Sequence, residues 1–241
     1  MKKFAVLDID GTLFRSQLYW EVALELARRQ KLHKDINQKT LDLYESWKKR
    51  KSKDAFELFN NETIDSIDSL LTELDPTEYD NIIKEILTPL LDHTYVYTKK
   101  LMNDLKAKGY FIIAISGSRS EEVNIFAKHH GFDDWIGQTY ERTEDRKKYT
   151  GNVHKTYKDK DLILAEFVKK HDLTYQDSYA IGDSGGDISI LKKVSNPIAF
   201  NPNKELLAEA QKNGWKIVIE RKSIAYIMEY TDGKYVLAEA N

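Results

Sequence analysis

Short apolar runs alternating with amphipathic segments from residue 92 onward predict an α/β chain built on a parallel sheet covered on both faces. Residues 15–91 instead carry helical spacing of apolar positions with no convincing strand run, which predicts a helical segment inserted into that sheet. A third observation fixes where the chemistry belongs. The polar groups most suited to catalysis stand at the carboxyl ends of the predicted strands, where open α/β sheets bind ligands.

The elements follow in order. The run from Phe4 to Leu7 reads as strand one and ends at Asp8, then Asp10 and Gly11. With two preceding lysines it resembles the start of a signal peptide, but Asp8 stops the apolar run after four residues, short of the roughly 7 to 15 that such a segment needs. In the insertion, Ile64, Ile67, Leu70, Leu71 and Leu74 share one helix face, as do Ile82, Ile83, Ile86, Leu87 and Leu90. Asp75 followed by Pro76 marks a break and a new helix start between them. Strands are predicted over 110–116, 179–182, 197–200 and 215–219, and helices over 98–108, 120–130, 161–171, 187–194 and 203–213. Gly109, Gly131 and Gly214 stand just past helix ends, where a left-handed residue is wanted. Residues 140–154, with Thr150 and Gly151, read as a hairpin, and residues 223–241 carry a partial helix pattern followed by Asp232 and Gly233.

Composition narrows the function classes. The chain has 241 residues with 37 Lys+Arg against 39 Asp+Glu, a formal charge of -2, so nothing global favours nucleic acid or an anionic membrane. The basic run 48–53 after Trp47 reads as a solvated helix end. Without cysteine there is no disulfide, thiol catalysis or thiolate metal site. No run approaches the roughly 20 apolar residues of a membrane span. The expectation is a cytoplasmic, soluble enzyme with a small-molecule partner, its oligomeric state unread.

Asp8 and Asp10 are the most informative pair. Side chains alternate along a strand, so both carboxylates reach one ligand only where the backbone leaves strand geometry, which Gly11 permits. The run Gly182-Asp183-Ser184-Gly185-Gly186-Asp187 admits three readings. It matches the G-x-S-x-G nucleophile elbow, but that fold places its histidine after the serine and every histidine here precedes Ser184. It also matches the serine segment of trypsin-like proteases, which are all-β and usually disulfide-bonded, unlike this chain. In the third reading Asp183 is an oxygen ligand for Mg²⁺, with Gly185 and Gly186 allowing close backbone approach and Asp187 opening the next helix.

These parts assemble into a phosphoryl-transfer site. Asp8 is the candidate nucleophile, able to form an aspartyl-phosphate. Asp10 is the candidate general acid and base. Mg²⁺ is expected on Asp8, Asp183 and the Asp10 carbonyl, with Asp187 as a further metal-site residue or N-cap. Ser116, Gly117 and Lys160 would hold the phosphoryl oxygens by hydroxyl, backbone amide and charge, and Ser116 also suits an N-cap. His129 and His130, before Gly131, read as a helix C-terminus rather than a metal pair.

In order along the chain, Asp8-x-Asp10-Gly-Thr12, Ser116 closing Ile115-Ser-Gly, a lysine, and Gly182-Asp183 with Asp187 resemble the four motifs of the haloacid dehalogenase-like superfamily. The resemblance implies a Rossmann-like core over 1–14 and 92–241 with a helical cap over 15–91. It selects Lys160 over Lys155 and Lys158 by the spacing to Asp183. Dehalogenase members lack the second aspartate, so Asp10 implies phosphatase chemistry, with a phosphotransferase or mutase and a non-catalytic phosphate-binding protein as alternatives. The phosphoserine phosphatase-like subfamily is the nearest likeness, from cap placement, Ser116 to Ser118, Thr150 and Gly151, and the stretch 196–202. True phosphoserine phosphatases carry an acidic residue after motif one and a cap arginine. Here Gln17 and Thr63 stand at those spacings, with Glu21 one turn further as a substitute, so the leaving group does not follow. Trp20, Tyr44 and Phe56 are candidates for the cap face over the site, and cap-core packing accounts for them equally well.

Overall fold

The computed structural model describes residues 1–71, 75–145, 147–222 and 224–240. Among these a nine-stranded sheet runs in the order β4-β3-β2-β1-β5-β6-β7-β8-β9. The strands are β1 (Lys2–Leu7), β2 (Phe111–Arg119), β3 (Asp134–Arg142), β4 (Tyr149–His154), β5 (Leu173–Gly182), β6 (Asn196–Phe200), β7 (Lys216–Arg221), β8 (Ile224–Thr231) and β9 (Lys234–Ala240). Neighbours from β3 to β7 are parallel, while β4, β8 and β9 add antiparallel edges. The α/β class with a Rossmann-like parallel sheet is thus as expected.

Strand alternation divides the core into two layers. Ala5 and Leu7 face the layer that includes Met102 and Leu105 of α5 (Val96–Ala107) and Val123 and Phe126 of α6 (Ser120–His130). Phe4 and Val6 face the other layer, with Leu164 and Phe167 of α7 (Lys160–Lys170), Leu191 of α8 (Ile188–Leu191) and Leu206 of α9 (Lys204–Asn213). Because both faces are covered, each strand reads as an apolar run rather than an alternating one.

Among the described residues between β1 and α5 lie α1 (Leu18–Arg28), α2 (Lys34–Lys48), α3 (Ala55–Leu71) and α4 (Pro76–Leu87). Asp75 caps α4 by accepting from the N–H groups of Thr77 and Glu78 at 2.8 and 3.2 Å, with Pro76 in the first turn, as its sequence implied. Leu18, Val22, Ile67, Ile83 and Ile86 join the first core layer, so the insertion packs directly onto the sheet-covering helices. Trp20, Tyr44, Trp47 and Phe59 form a separate aromatic cluster among α1, α2 and α3. Leu74, expected on the same apolar face as Ile67, lies outside the described residues.

Two expectations are corrected. Residues 224–240 form the antiparallel pair β8 and β9 rather than a helix. Asp232 and Gly233 both take positive φ, 52° and 81°, in the tight turn that an Asp-Gly pair favours between strands, and this outweighs a weak helical pattern. Ser223 and Asn241, the ends of that stretch, lie outside the described residues. The helix expected over 187–194 is one short turn, α8, preceded by a 3₁₀ turn at Gly185–Asp187. No described helix is long and apolar enough to cross a membrane.

Candidate active site

β1, β2 and β5 are adjacent in the sheet, with β1 in the middle, so their carboxyl ends bring together residues far apart in sequence. Asp8 follows β1, Ser116 and Gly117 lie near the end of β2, and Asp183 follows β5. Gly11 takes φ 75°, a left-handed value that frees the chain from strand geometry, and its N–H bonds back to the carbonyls of Phe14 and Ser16. A Cβ at Gly11 would lie 2.2 Å from Asp183 Oδ2, so glycine is also what lets the Asp183 carboxylate press against this turn.

Lys160, the first residue of α7, places its ammonium 2.8 Å from Asp8 Oδ1 and 2.7 Å from Asp187 Oδ1. All three side chains are buried. Burial disfavours the Lys160 ammonium, but the Asp187 and Asp8 carboxylates outweigh it and hold the lysine above its ordinary range. Asp8 is pushed up to about 8, mainly by burial, against the pull of Lys160. Asp8 Oδ2 takes no hydrogen bond among the described residues, and Asp8 lines the cavity.

Asp10 is organised differently. Its Oδ1 accepts from the Leu18 N–H at 2.7 Å and its Oδ2 from the hydroxyls of Ser116 and Ser118 at 2.7 and 2.8 Å. Burial raises it above the usual carboxylate range, although these donors oppose the shift. The first turn of α1 is therefore tied to the second aspartate. Ser116 is fully buried and turned toward Asp10, and its Oγ also accepts from the Ser118 N–H. It is not an N-cap, because α6 begins at Ser120 after Arg119, beyond the reach of Ser116. Gly117 and Ser118 form the cavity wall there.

Asp187 serves the loop as well as the lysine. Its Oδ2 accepts from the N–H groups of Asp183 and Ser184 at 3.2 and 3.1 Å and from the Ser184 hydroxyl. Ser184 thus spends its hydroxyl on Asp187, and no described histidine lines the cavity, which removes both serine-nucleophile readings. At Gly185 the close neighbour is the Glu205 carboxylate, 2.0 Å from where a Cβ would stand, the mobile end of a long side chain that can move aside.

Carboxylate oxygens of Asp8, Asp183 and Asp187 lie within 4.8 Å of one another. With Asp10 they set four carboxylates against one buried ammonium, and burial beside Asp8 and Asp187 pushes Asp183 well up. An all-oxygen site with excess negative charge fits a hard divalent cation. Asp92, His129 and His130 also cluster, but His130 Nε2 meets the Leu91 carbonyl at 2.9 Å and its Nδ1 meets Lys99 Nζ at 2.7 Å. Both ring nitrogens are committed, which agrees with a helix-end role.

The cavity above these groups measures about 490 Å³ and is walled on the far side by Gln17, Tyr19, Phe56, Asn60, Ile64 and Asp68 of the insertion. A larger recess of about 780 Å³ between α5 and β7 to β9 holds no comparable cluster among the described residues. Gln17 faces the site, whereas Thr63 is buried and bonded to the Asn60 carbonyl. Glu21 does not substitute for the missing acid: its carboxylate takes the Ser16 hydroxyl at 2.5 Å and lines no part of the cavity. Phe56 reaches the cavity, while Trp20 and Tyr44 are spent in the aromatic cluster. Lys155 lines the cavity and Lys158 does not.

The family model of the haloacid dehalogenase-like hydrolases matches residues 5–192, which spans the β1, β2, α7 and β5 contributions to this centre. The chain belongs to that family. Among curated relatives of this hydrolase, phosphoserine phosphatase of Methanocaldococcus jannaschii is 25% identical over 235 residues, covering 95% of this chain and 97% of the relative. Histidinol-phosphatase of Neisseria meningitidis serogroup C is 24% identical over 237 residues, covering 90% and 99%. A solved protein of unknown function from Bordetella pertussis Tohama I shares the fold at a TM-score of 0.71, with 22% identity over 91% of this chain and 99% of that one.

Sequence reasoning missed several groups around the hydrolase centre. Arg119 lies just past the Ser116-Gly-Ser118 segment, buried, with Nη2 2.6 Å from Asp68 Oδ1. Tyr140 donates its hydroxyl to the same Asp68 oxygen at 2.6 Å. Glu122, fully buried in α6, accepts the Tyr79 hydroxyl at 2.8 Å and lies 3.8 Å from Arg119. The available signal was Asp68 standing off the apolar stripe of α3, together with a cation immediately after a candidate phosphate loop.

Proposed function

We propose that this hydrolase is a Mg²⁺-dependent phosphatase that cleaves a small phosphomonoester through an aspartyl-phosphate at Asp8. The observation that carries the reading is the difference between two neighbouring carboxylates in one cavity. Asp8 is ion-paired to buried Lys160 through one oxygen and presents the other free, whereas both oxygens of Asp10 are held, one by the Leu18 N–H and the other by the Ser116 and Ser118 hydroxyls.

In the first step an Asp8 oxygen bonds to phosphorus, the bond to the leaving oxygen breaks, and Asp10 gives that oxygen its proton. In the second, water gives a proton back to Asp10 and bonds to phosphorus. The bond to Asp8 then breaks and inorganic phosphate leaves. Lys160 holds Asp8 in position, and the Gly117 backbone on the cavity wall is suited to donating toward phosphoryl oxygens, with Ser116 and Ser118 bracing Asp10 beside it. Asp8 and Asp183 would hold Mg²⁺, with Asp187 organising the loop; the ion supplies charge neutralisation between nucleophile and substrate phosphate. The helical insertion over 15–91 acts as the cap that excludes water.

Phosphate release from p-nitrophenyl phosphate with Mg²⁺ or chelator, wild type against Asp8→Asn, tests the reading. Metal-dependent release by wild type, reduced at least about 10³-fold in the variant, is expected. Equal rates in the folded variant would refute it.

A further inference from the structure

We infer that Asp68 selects the leaving group, and that the substrates are phosphomonoesters of alcohols bearing a basic nitrogen and no carboxylate. The inference rests on the phosphatase reading and extends it to the cap side of the same cavity.

Asp68 belongs to α3, lines the cavity, and keeps its side chain 39% exposed there. Both of its described donors, Arg119 Nη2 and the Tyr140 hydroxyl, converge on Oδ1 at 2.6 Å, so the carboxylate is fixed in orientation by groups of the sheet. Besides Lys160, Arg119 and Lys155 are the cations on the cavity wall, and Arg119 is the one that a substrate carboxylate lying beside Asp68 would seek. It is 4% exposed and faces two carboxylates of the protein, Asp68 at 2.6 Å and Glu122 at 3.8 Å. Its charge is therefore balanced internally, and an incoming carboxylate would have to displace Asp68 and leave that group unpaired. An ammonium meets the opposite situation, a half-exposed carboxylate already oriented.

The rest of the wall agrees with this assignment. Asn60 Oδ1 accepts both the Tyr19 hydroxyl at 2.5 Å and the Trp20 indole N–H at 3.2 Å. Since an indole nitrogen only donates, the oxygen of Asn60 is the atom engaged, so it does not compete with Asp68 to receive an ammonium. Phe56, 42% exposed, adds an aromatic face of the kind that tolerates a cation. Gln17, at the spacing where an acid was expected, offers an uncharged amide instead.

The test is kcat/KM for phosphoethanolamine, its neutral isostere ethyl phosphate, and phosphoserine, in wild type and Asp68→Asn. Wild type is expected to favour phosphoethanolamine by about tenfold or more over both others, and Asp68→Asn to bring its ratio to ethyl phosphate within about threefold. A wild-type ratio near one, a preference for phosphoserine, which would hand recognition to Lys155, or an undiminished ratio in the variant would overturn the inference. The wild-type ranking decides even if the variant does not fold. Release from p-nitrophenyl phosphate is measured alongside. If wild type fails on that ester the phosphatase reading falls separately, and Asp68 is then judged by thermal shift with the same two esters, where equal shifts overturn it.

Discussion

Lys160 Nζ lies 2.7 Å from Asp187 Oδ1, and both side chains are removed from solvent. The same ammonium touches Asp8, so one lysine bridges two carboxylates that follow different strands. Removing it leaves buried charges without a partner, at a cost of about 3–5 kcal/mol. Lys160→Met is therefore expected to lower stability by that amount in urea titrations and to abolish measurable phosphate release. A variant with unchanged midpoint would mean that the triad carries little of the fold.

Gly11→Ala joins two penalties at one atom. The residue sits at φ 75°, and the added Cβ would lie 2.2 Å from Asp183 Oδ2. The left-handed strain alone costs about 1–2 kcal/mol. Beyond a lower Tm, the variant is expected to lose at least about tenfold in activity because Asp183 must move. Retention of full activity would show that the carboxylate has room elsewhere.

Mg²⁺ is expected to raise the Tm of wild type in a concentration-dependent way, as any ligand of the native state does. Asp183→Asn should lose that dependence while remaining folded, since it relieves a carboxylate whose ionisation burial already opposes. A metal-dependent Tm that persists in the variant would remove Asp183 from the ligand set.

Glu122 offers a pH test away from the reacting groups. Burial raises its folded value to about 7, opposed by Arg119, against an ordinary value of 4.5. The folded chain thus holds a proton that the unfolded chain has released between those values, so this group's stabilising contribution is present below about 4.5 and lost as pH rises to 7. His130 works in the other direction, because burial lowers it from 6.5 to about 4 and its contribution is lost as pH falls through that window. Glu122→Gln should therefore make stability rise more steeply with pH than in wild type between 4.5 and 7, by up to about 3 kcal/mol over the window. Parallel wild-type and variant profiles in denaturant titrations would contradict the assignment.

Asp8, Asp10, Asp183 and Asp187 are legible in the amino-acid sequence because each lies just past a strand whose end has a local cause, whereas Lys160 opens α7 and is singled out from Lys155 and Lys158 only by its spacing to Asp183. An apolar run names the strand, and a glycine names the turn. The Asp232-Gly233 hairpin has such a cause too, yet the weak periodicity of 224–231 conceals it, and the pairing of β8 with β7 is what reveals the strand. Ser116 can be found in the sequence but not oriented, since its bond to Asp10 depends on β1 and β2 lying side by side.

The sequence by itself determined the α/β class, the helical insertion and the candidate reacting carboxylates, because hydrophobic periodicity and turn chemistry act over a few residues. Only the tertiary structure decided which oxygen of Asp187 meets Lys160, that Glu21 is spent on Ser16, and that Asp68 is met by Arg119 and Tyr140 across the cavity. Those pairings join residues tens of positions apart or turn on one side-chain rotamer. The Asp68 contacts are set by packing the insertion onto the sheet, the Lys160 contact by α7 meeting the loop after β5, and the Ser16–Glu21 bond by local rotamers, none of which a periodic pattern encodes.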